Sequence, residues 1–242
     1  DFKRVYEMDM IERAYEDIKY YLRSFYRSNR EAGTSSKRRE FSGNQLALAD
    51  GRALRQAVRR LTSSDFSDDQ DTNTRNSVLA YIQTYNNMLS SAGSSSDRTL
   101  KRSAKQLKNI TSEYSSELDK IGITVNDDGT LTSRTTLFES ADLSKFKELF
   151  SADAAYMQRT STYAKRFASR GEALVASDNN RLMQKKNAAA TGSSAADGTT
   201  TSGTTGSLDD GTATTAAQIV SQSLDLDTLL NTGIGKNINI IL

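Results

Sequence analysis

The 242-residue chain has room for one or two domains, but only 36% of its residues are apolar, below the roughly 45–50% typical of globular proteins. It contains no Cys, which excludes disulfides and cysteine nucleophiles, and no His, which removes the commonest general base and metal ligand. The net charge of +2 hides an asymmetry: residues 1–62 carry 14 Lys and Arg against 9 acids, whereas residues 191–242 carry one Lys against 5 acids. A solvated helix face followed by a polar tail explains this more simply than attraction between subunits.

Heptad spacing marks the first predicted helix. Apolar residues in the first 25 positions recur at alternating steps of three and four, which is typical of a helix that packs on another helix. The sequence at 33–36 breaks this pattern, and Leu54, Val58 and Leu61 mark a second, shorter helix. It is expected to start near Asn44, and Gly51 leaves the position of its start open. Both helices belong to the first predicted region, 1–62. The seam of the first helix consists of Met8, Ile11, Tyr15, Ile18, Leu22 and Phe25.

Two further helices are predicted on either side of a Gly/Ser loop. The third helix follows the polar stretch 63–73, and Ser96 or Asp97 can cap the fourth. Because the loop between them is short, the two helices should form an antiparallel hairpin. Their apolar stripes are Val78, Ile82, Tyr85 and Leu89 in the third helix, and Leu100, Ala104, Leu107, Thr111, Tyr114, Leu118 and Ile121 in the fourth.

A β-hairpin is predicted at 121–133, where apolar residues flank an Asp-Asp-Gly turn. A two-residue loop would pair Asn126 with Leu131 and place a polar residue on the apolar face. A three-residue loop pairs Val125 with Leu131 and puts Gly129 at the left-handed position that such loops need. We prefer the three-residue loop, because a slip of one residue turns every side chain to the other face.

A long helix is predicted from about Asp153, after a short helix at 143–150. Its stripe keeps steps of three and four and weakens toward its end. With the helical hairpin and the β-hairpin it makes up the second predicted region, 71–187. The stripe consists of Tyr156, Thr160, Tyr163, Phe167, Gly171, Leu174, Asp178 and Leu182.

The C-terminal part divides in two. Residues 188–217 are rich in Gly, Ser, Thr and Ala and are predicted to be a flexible linker, because they bury too little apolar surface to offset the entropy of ordering. Residues 218–242 are predicted to be an assembly segment, in which Ile238, Ile240 and Leu242 alternate as in a strand. Two fates are equally open for this strand: capture by another surface, or addition to the chain's own hairpin.

Together these elements predict a mainly α fold, in which long antiparallel helices form a bundle or coiled coil with one small β-hairpin. A flexible tract then precedes the C-terminal segment. No apolar run approaches the roughly 18 residues of a membrane span, so no span is expected.

No catalytic site is predicted, because the sequence lacks Ser-His, Cys-His and paired-carboxylate motifs and phosphate-binding loops. We expect no enzyme activity, cofactor or small-molecule substrate. An EF-hand around the Asp-Asp-Gly turn would need ligands at Thr124 and Thr135, so no metal is expected. A basic patch suggests contact with an acidic partner, although interleaved acids argue against nucleic acid. The patch comprises Lys37, Arg38, Arg39, Arg52, Arg55, Arg59 and Arg60.

Four short motifs follow one another in the middle of the chain: a helix with Tyr-Asn, a Leu-x-x-Ile-Gly-Ile strand, an Asp-Gly-Thr-Leu return strand and a short helix that ends in Leu-Phe. They lie at Tyr85-Asn86, Leu118 to Ile123, Asp128 to Leu131 and Leu149-Phe150, within residues 75–190. In their order and spacing they resemble the C-terminal conserved region of the flagellar filament-capping protein family (hook-associated protein 2). The resemblance implies a structural role, in which helices assemble side by side in an extracellular tube or its cap.

We therefore expect a secreted structural subunit of a flagellum-like filament or its cap, at the bacterial cell surface. Its partners would be copies of itself and other flagellar-type axial proteins. The alternative is a surface adhesin or binding module that uses the basic helical face. The residues assigned to the assembly interface are Met8, Ile11, Tyr15, Ile18, Leu22, Phe25, Tyr163, Phe167, Leu174, Ile238, Ile240 and Leu242.

Overall fold

The structure, a computed structural model, describes residues 16–192, with side chains described through residue 188. The chain divides into two compact units, with a boundary after Asp178. The described residues are mainly helical with one small antiparallel sheet, which confirms the mainly α class and the hairpin. The helices are α1 (16–25), α2 (Gly43–Thr62), α3 (Asp71–Ser94), α4 (Arg98–Glu113), α5 (Ser115–Lys120), α6 (Thr135–Ser140), α7 (Leu143–Phe150) and α8 (Ala155–Gly192), and the strands are β1 (Ile123–Val125) and β2 (Leu131–Ser133).

Local capping explains where α2 and α4 begin. The Ser42 hydroxyl accepts the backbone N–H of Gln45 at 3.2 Å, and the Gln45 side chain accepts the N–H of Ser42 at 2.9 Å. This capping box starts α2 one residue before the predicted position. Asp97 accepts the N–H of Leu100 at 2.9 Å, so it is the residue that caps α4.

The predicted fourth helix is broken once. α4 ends at Glu113, Tyr114 leaves helical geometry, and α5 resumes at Ser115. The apolar stripe continues across the break, because Leu107, Thr111, Leu118 and Ile121 are all fully buried.

The hairpin has the predicted register. Val125 lies opposite Leu131, and Gly129 has φ +81°, which is the left-handed conformation that the three-residue loop requires. Ile123 and Leu131 turn into the core, whereas Thr132 faces solvent. A one-residue slip would reverse this arrangement.

Helices α2 and α8 cross with almost no space between their backbones. A Cβ atom added at Gly51 would lie 2.8 Å from the backbone of Ala168, and one added at Gly171 would lie 2.8 Å from the backbone of Leu48. Glycine at both positions lets the helices approach, so the side chains that flank this crossing form grooves along it.

One hydrophobic core joins the two predicted helical regions. It contains Leu54 and Leu61 of α2 together with Tyr81 and Tyr85 of α3, and it extends to Phe167 of α8. Residues on both sides of the boundary predicted at 62–71 therefore fold as one body. Within residues 16–192, no helix has the length and apolar character that crossing a membrane requires.

Helix α8 runs five residues into the segment predicted as linker. It ends at Gly192 rather than near 187, and its last turns contain Ala188, Ala189 and Ala190. Alanine has the highest helix propensity, which accounts for the extension. The remainder of the predicted linker and the whole of 218–242 lie outside the described residues.

Candidate functional site

The described residues of the predicted assembly interface pack within the chain. Phe25 and Phe167 are buried, at 3% and 0% exposure. Ile18, Leu22, Tyr163 and Leu174 are half-buried and pack against the same core. The helix seam therefore meets the chain's own helices, and contact of these six residues with other copies stays a prediction. Met8, Ile11, Tyr15, Ile238, Ile240 and Leu242 lie outside the described residues.

The C-terminal end of α8 differs in exposure from the predicted interface residues described above. Every residue from 179 to 188 is exposed, including Leu182 at 55% and Met183 at 37%. Few large apolar side chains of the described chain are this accessible, and these two are neighbours on one helix. Arg181, Lys185 and Lys186 surround them, without an acidic residue between 179 and 188.

Arg38 is not available to a partner, although it belongs to the predicted basic patch. Its guanidinium donates to both carboxylate oxygens of Asp50, at 2.8 and 2.7 Å. Asp50 is fully buried, and the Tyr26 hydroxyl donates to it at 2.6 Å. Burial and the adjacent negative charge raise the pKa of Tyr26 well above its usual value. Arg38 thus fastens the segment before α2 to α2 itself.

Other members of the patch also have partners. Lys37 forms an exposed ion pair with Glu40 at 3.3 Å, and the Arg60 guanidinium lies 5.8 Å from the centre of the Tyr21 ring. Arg52 pairs with Glu172 of α8 at 2.7 Å. The patch predicted from sequence is therefore divided, and only part of it faces an open surface.

That open surface is a set of three adjoining grooves lined by residues of α2, α4 and α8, which we call the basic grooves. One lies on α2 and includes Arg55 and Arg59, which also line a second groove between α2 and α8. Lys165 lines the second groove and a third one between α4 and α8. Shared residues therefore join the grooves into one track. Its basic residues are Arg52, Arg55, Arg59, Arg102, Lys165, Arg166 and Arg170.

Most of these cations are free. Among the described residues, no carboxylate lies within ion-pair distance of Arg55, Arg59, Arg102, Lys165 or Arg166. Arg166 lies 5.2 Å from the centre of the Tyr163 ring, and Arg170 bonds to Asp97. Within the described part of the chain, no Asp or Glu lines any of the three grooves. A concave surface with charge of one sign concentrates the electrostatic potential and attracts anions.

Sequence reasoning missed the contribution of α8 and α4 to this surface. Lys165, Arg166 and Arg170 occupy the polar side of the predicted long helix, which was read only for its apolar stripe. A charge pattern drawn on that polar side would have indicated them, whereas the position of Lys165 in one groove with Arg55 and Arg59 depends on the close approach of α2 and α8.

Several buried polar side chains form hydrogen bonds with other groups inside the protein. The hydroxyls of Tyr81 and Tyr156 lie 2.8 Å apart in the core, and burial raises the pKa of both, so they stay neutral. Asn86 of α3 donates to the carbonyl of Leu131 and accepts its N–H, both at 2.8 Å. Tyr85 donates to the carbonyl of Gly129 at 3.2 Å. The Tyr-Asn pair of the predicted motif thus holds the hairpin against α3.

No described part of the chain gathers three or more Asp or Glu side chains in a way that could hold a metal ion. No protein-family model, curated protein or solved structure matches the chain. The resemblance to the filament-capping family accordingly stays a prediction that rests on its short motifs.

Proposed function

We propose that the chain is a self-associating structural subunit, of the kind that forms a flagellum-like extracellular filament or its cap. The exposed C-terminal end of α8 carries the proposal. Leu182 and Met183 are accessible there, within a run of exposed residues from 179 to 188. Burying these two side chains against a helix of another copy would stabilise both the contact and the helix end.

Charge supports this pairing. The α8 end carries Arg181, Lys185 and Lys186, while residues 191–242 carry five Asp and one Lys. Opposite charges on segments that each contain apolar residues favour association and orient it. The finer features of the proposal are a bundle or coiled coil between copies, export to the cell surface, and partnership with other axial proteins. They are supported by the heptad spacing and by the resemblance of residues 75–190.

The test is sedimentation velocity across a wide concentration range, followed by electron microscopy of the most concentrated sample. The wild-type chain should form concentration-dependent oligomers or filaments. Leu182→Glu with Met183→Glu should weaken association, because each glutamate removes apolar contact while keeping good helix propensity. Leu137→Glu is the matched control, since Leu137 is 39% exposed on another helix. A wild-type chain that stays monomeric at every concentration would refute the proposal.

A second candidate function is a binding module that presents a basic face to an acidic partner. The free cations of the basic grooves favour it, with Arg55, Arg59 and Lys165 at their centre. Retention on immobilised polyglutamate should then depend on salt and fall when these three residues become Gln. Arg60→Gln is the control, because Arg60 lies over Tyr21 instead of lining these grooves. A variant that loses retention yet still self-associates would separate the two functions.

A further inference from the structure

The groove between α2 and α8 is lined by three cationic side chains. Arg55 and Arg59 approach it from α2 and Lys165 from α8, and its volume is about 490 Å³. All three side chains are exposed, and none forms an ion pair with a described residue. Three like charges on facing helices repel one another, and an anionic occupant would relieve that repulsion.

The same chain presents a matching anionic loop, residues 63–70, between α2 and α3. Asp65, Asp68 and Asp69 are exposed there, and none of them forms an ion pair within the described residues. No Lys or Arg occurs between residues 61 and 74. Phe66 anchors the loop, because its ring is 8% exposed and belongs to the core. The three carboxylates are therefore held at the surface by a fixed point.

We infer that the acidic loop 63–70 of one copy docks in the α2–α8 basic groove of a second copy. This inference rests on the proposed self-association and names a surface for it. Three carboxylates that form no ion pair with a described residue meet three such cations. Asp65 accepts the backbone N–H and the hydroxyl of Ser67 at one oxygen, at 3.2 and 3.1 Å, and its second oxygen remains for a cation. Arginine pairs with carboxylate through two parallel hydrogen bonds where both oxygens are accessible. The two patches differ, so each copy offers one of each and the contact can repeat from molecule to molecule.

The electrostatic origin of the contact sets its salt dependence. Exposed ion pairs are screened within about 8 Å at physiological ionic strength, so association through the groove should weaken as salt is added. Apolar association through Leu182 and Met183 has the opposite tendency with strongly excluded salts such as sulfate. Measuring self-association at increasing sulfate concentration therefore separates the two contacts.

Charge reversal on each side, followed by mixing, tests the inference. The groove variant carries Arg55→Glu, Arg59→Glu and Lys165→Glu, and the loop variant carries Asp65→Lys, Asp68→Lys and Asp69→Lys. Each alone should self-associate about tenfold or more weakly than wild type, because like charges then face each other. An equimolar mixture should recover association, since the reversed loop fits the reversed groove and the native loop fits the native groove.

The control for the groove variant replaces Arg39, Lys101 and Lys105 with Glu. It changes the net charge by the same amount as the groove variant, but at exposed positions outside the grooves. It should associate like wild type in the same buffer. Circular dichroism of every variant checks that the helices remain folded.

The outcomes separate this inference from the proposed function. If wild type associates and neither reversal weakens it, the groove is not an interface and the inference fails alone. If only the groove variant is weakened, or the mixture does not recover, the loop is not the occupant and the inference also fails. In that case residues 191–242 or a foreign polyanion would fill the groove. If wild type never associates, both proposals fail.

Discussion

Removing Arg38 should destabilise the chain more than any exposed substitution, because it strands a buried charge. Asp50 is 0% exposed and accepts two hydrogen bonds from Arg38 and one from Tyr26. Arg38→Met leaves only the tyrosine bond to the carboxylate. Breaking a buried ion pair on one side costs about 3–5 kcal/mol, a large share of the roughly 5–15 kcal/mol that stabilises a typical domain.

Removing the charge of Asp50 should lower the free energy of unfolding by less than removing Arg38 does. Asp50→Asn keeps an oxygen that can accept from Tyr26, and the Arg38 side chain remains 15% exposed to water. We expect a loss of about 1.5–3 kcal/mol, the range for hydrogen bonds to charged groups. Because both variants remove the same interaction, the double variant should be less destabilised than the sum of the two.

Urea unfolding followed by the helical circular dichroism signal measures these free energies. Arg39→Met is the matched control, since Arg39 is exposed beside Arg38, and it should change stability by less than about 0.5 kcal/mol. A loss below about 1 kcal/mol for Arg38→Met, or strict additivity in the double variant, would refute the view that this pair fastens the segment before α2.

Three further predictions concern the hairpin, the helix crossing and the α4 cap. Asn86→Ala should cost about 2–4 kcal/mol and speed hydrogen exchange in β2, because the buried N–H and C=O of Leu131 lose their partner, while exposed Asn109→Ala should change little. Gly171→Ala should lower the free energy of unfolding by about 1–2 kcal/mol, since its Cβ would meet the Leu48 backbone, whereas Gly93→Ala, with open space around it, should raise stability. The hydrogen bond from Arg170 holds the pKa of Asp97 below its ordinary value. The stability that this ion pair contributes is therefore complete above about pH 4, and it is lost as the pH falls through the lowered pKa of the folded state. Asp97→Asn should therefore be less stable than wild type by at most about 1 kcal/mol near neutral pH, and the difference should close in acid; a difference that widens in acid would contradict this account.

Elements whose cause is local were predictable from the sequence. The hairpin register followed from the alternation of apolar residues and from Gly129, and the structure has it. The start of α4 followed from the capping residue Asp97, one of the two candidates. The break at Tyr114 was not predicted, because the apolar stripe continues across it and periodicity alone does not report a change of helix axis.

Features that depend on distant residues were not predictable. In the sequence Gly51 left the start of α2 open, and only the approach of Ala168 shows why a side chain is excluded there. Arg38 looked like one of seven equivalent cations until the burial of Asp50 set it apart. Lys165 joins Arg55 and Arg59 across more than 100 residues of sequence, a distance over which a single sequence carries no pairing information.

The Asn86 amide also decides where a third strand could be added. It occupies the outward-facing N–H and C=O of Leu131, so a neighbouring peptide cannot extend the sheet past this point of β2 without displacing it. Crowded copies are thereby protected on this edge from the strand-to-strand stacking that leads to amyloid.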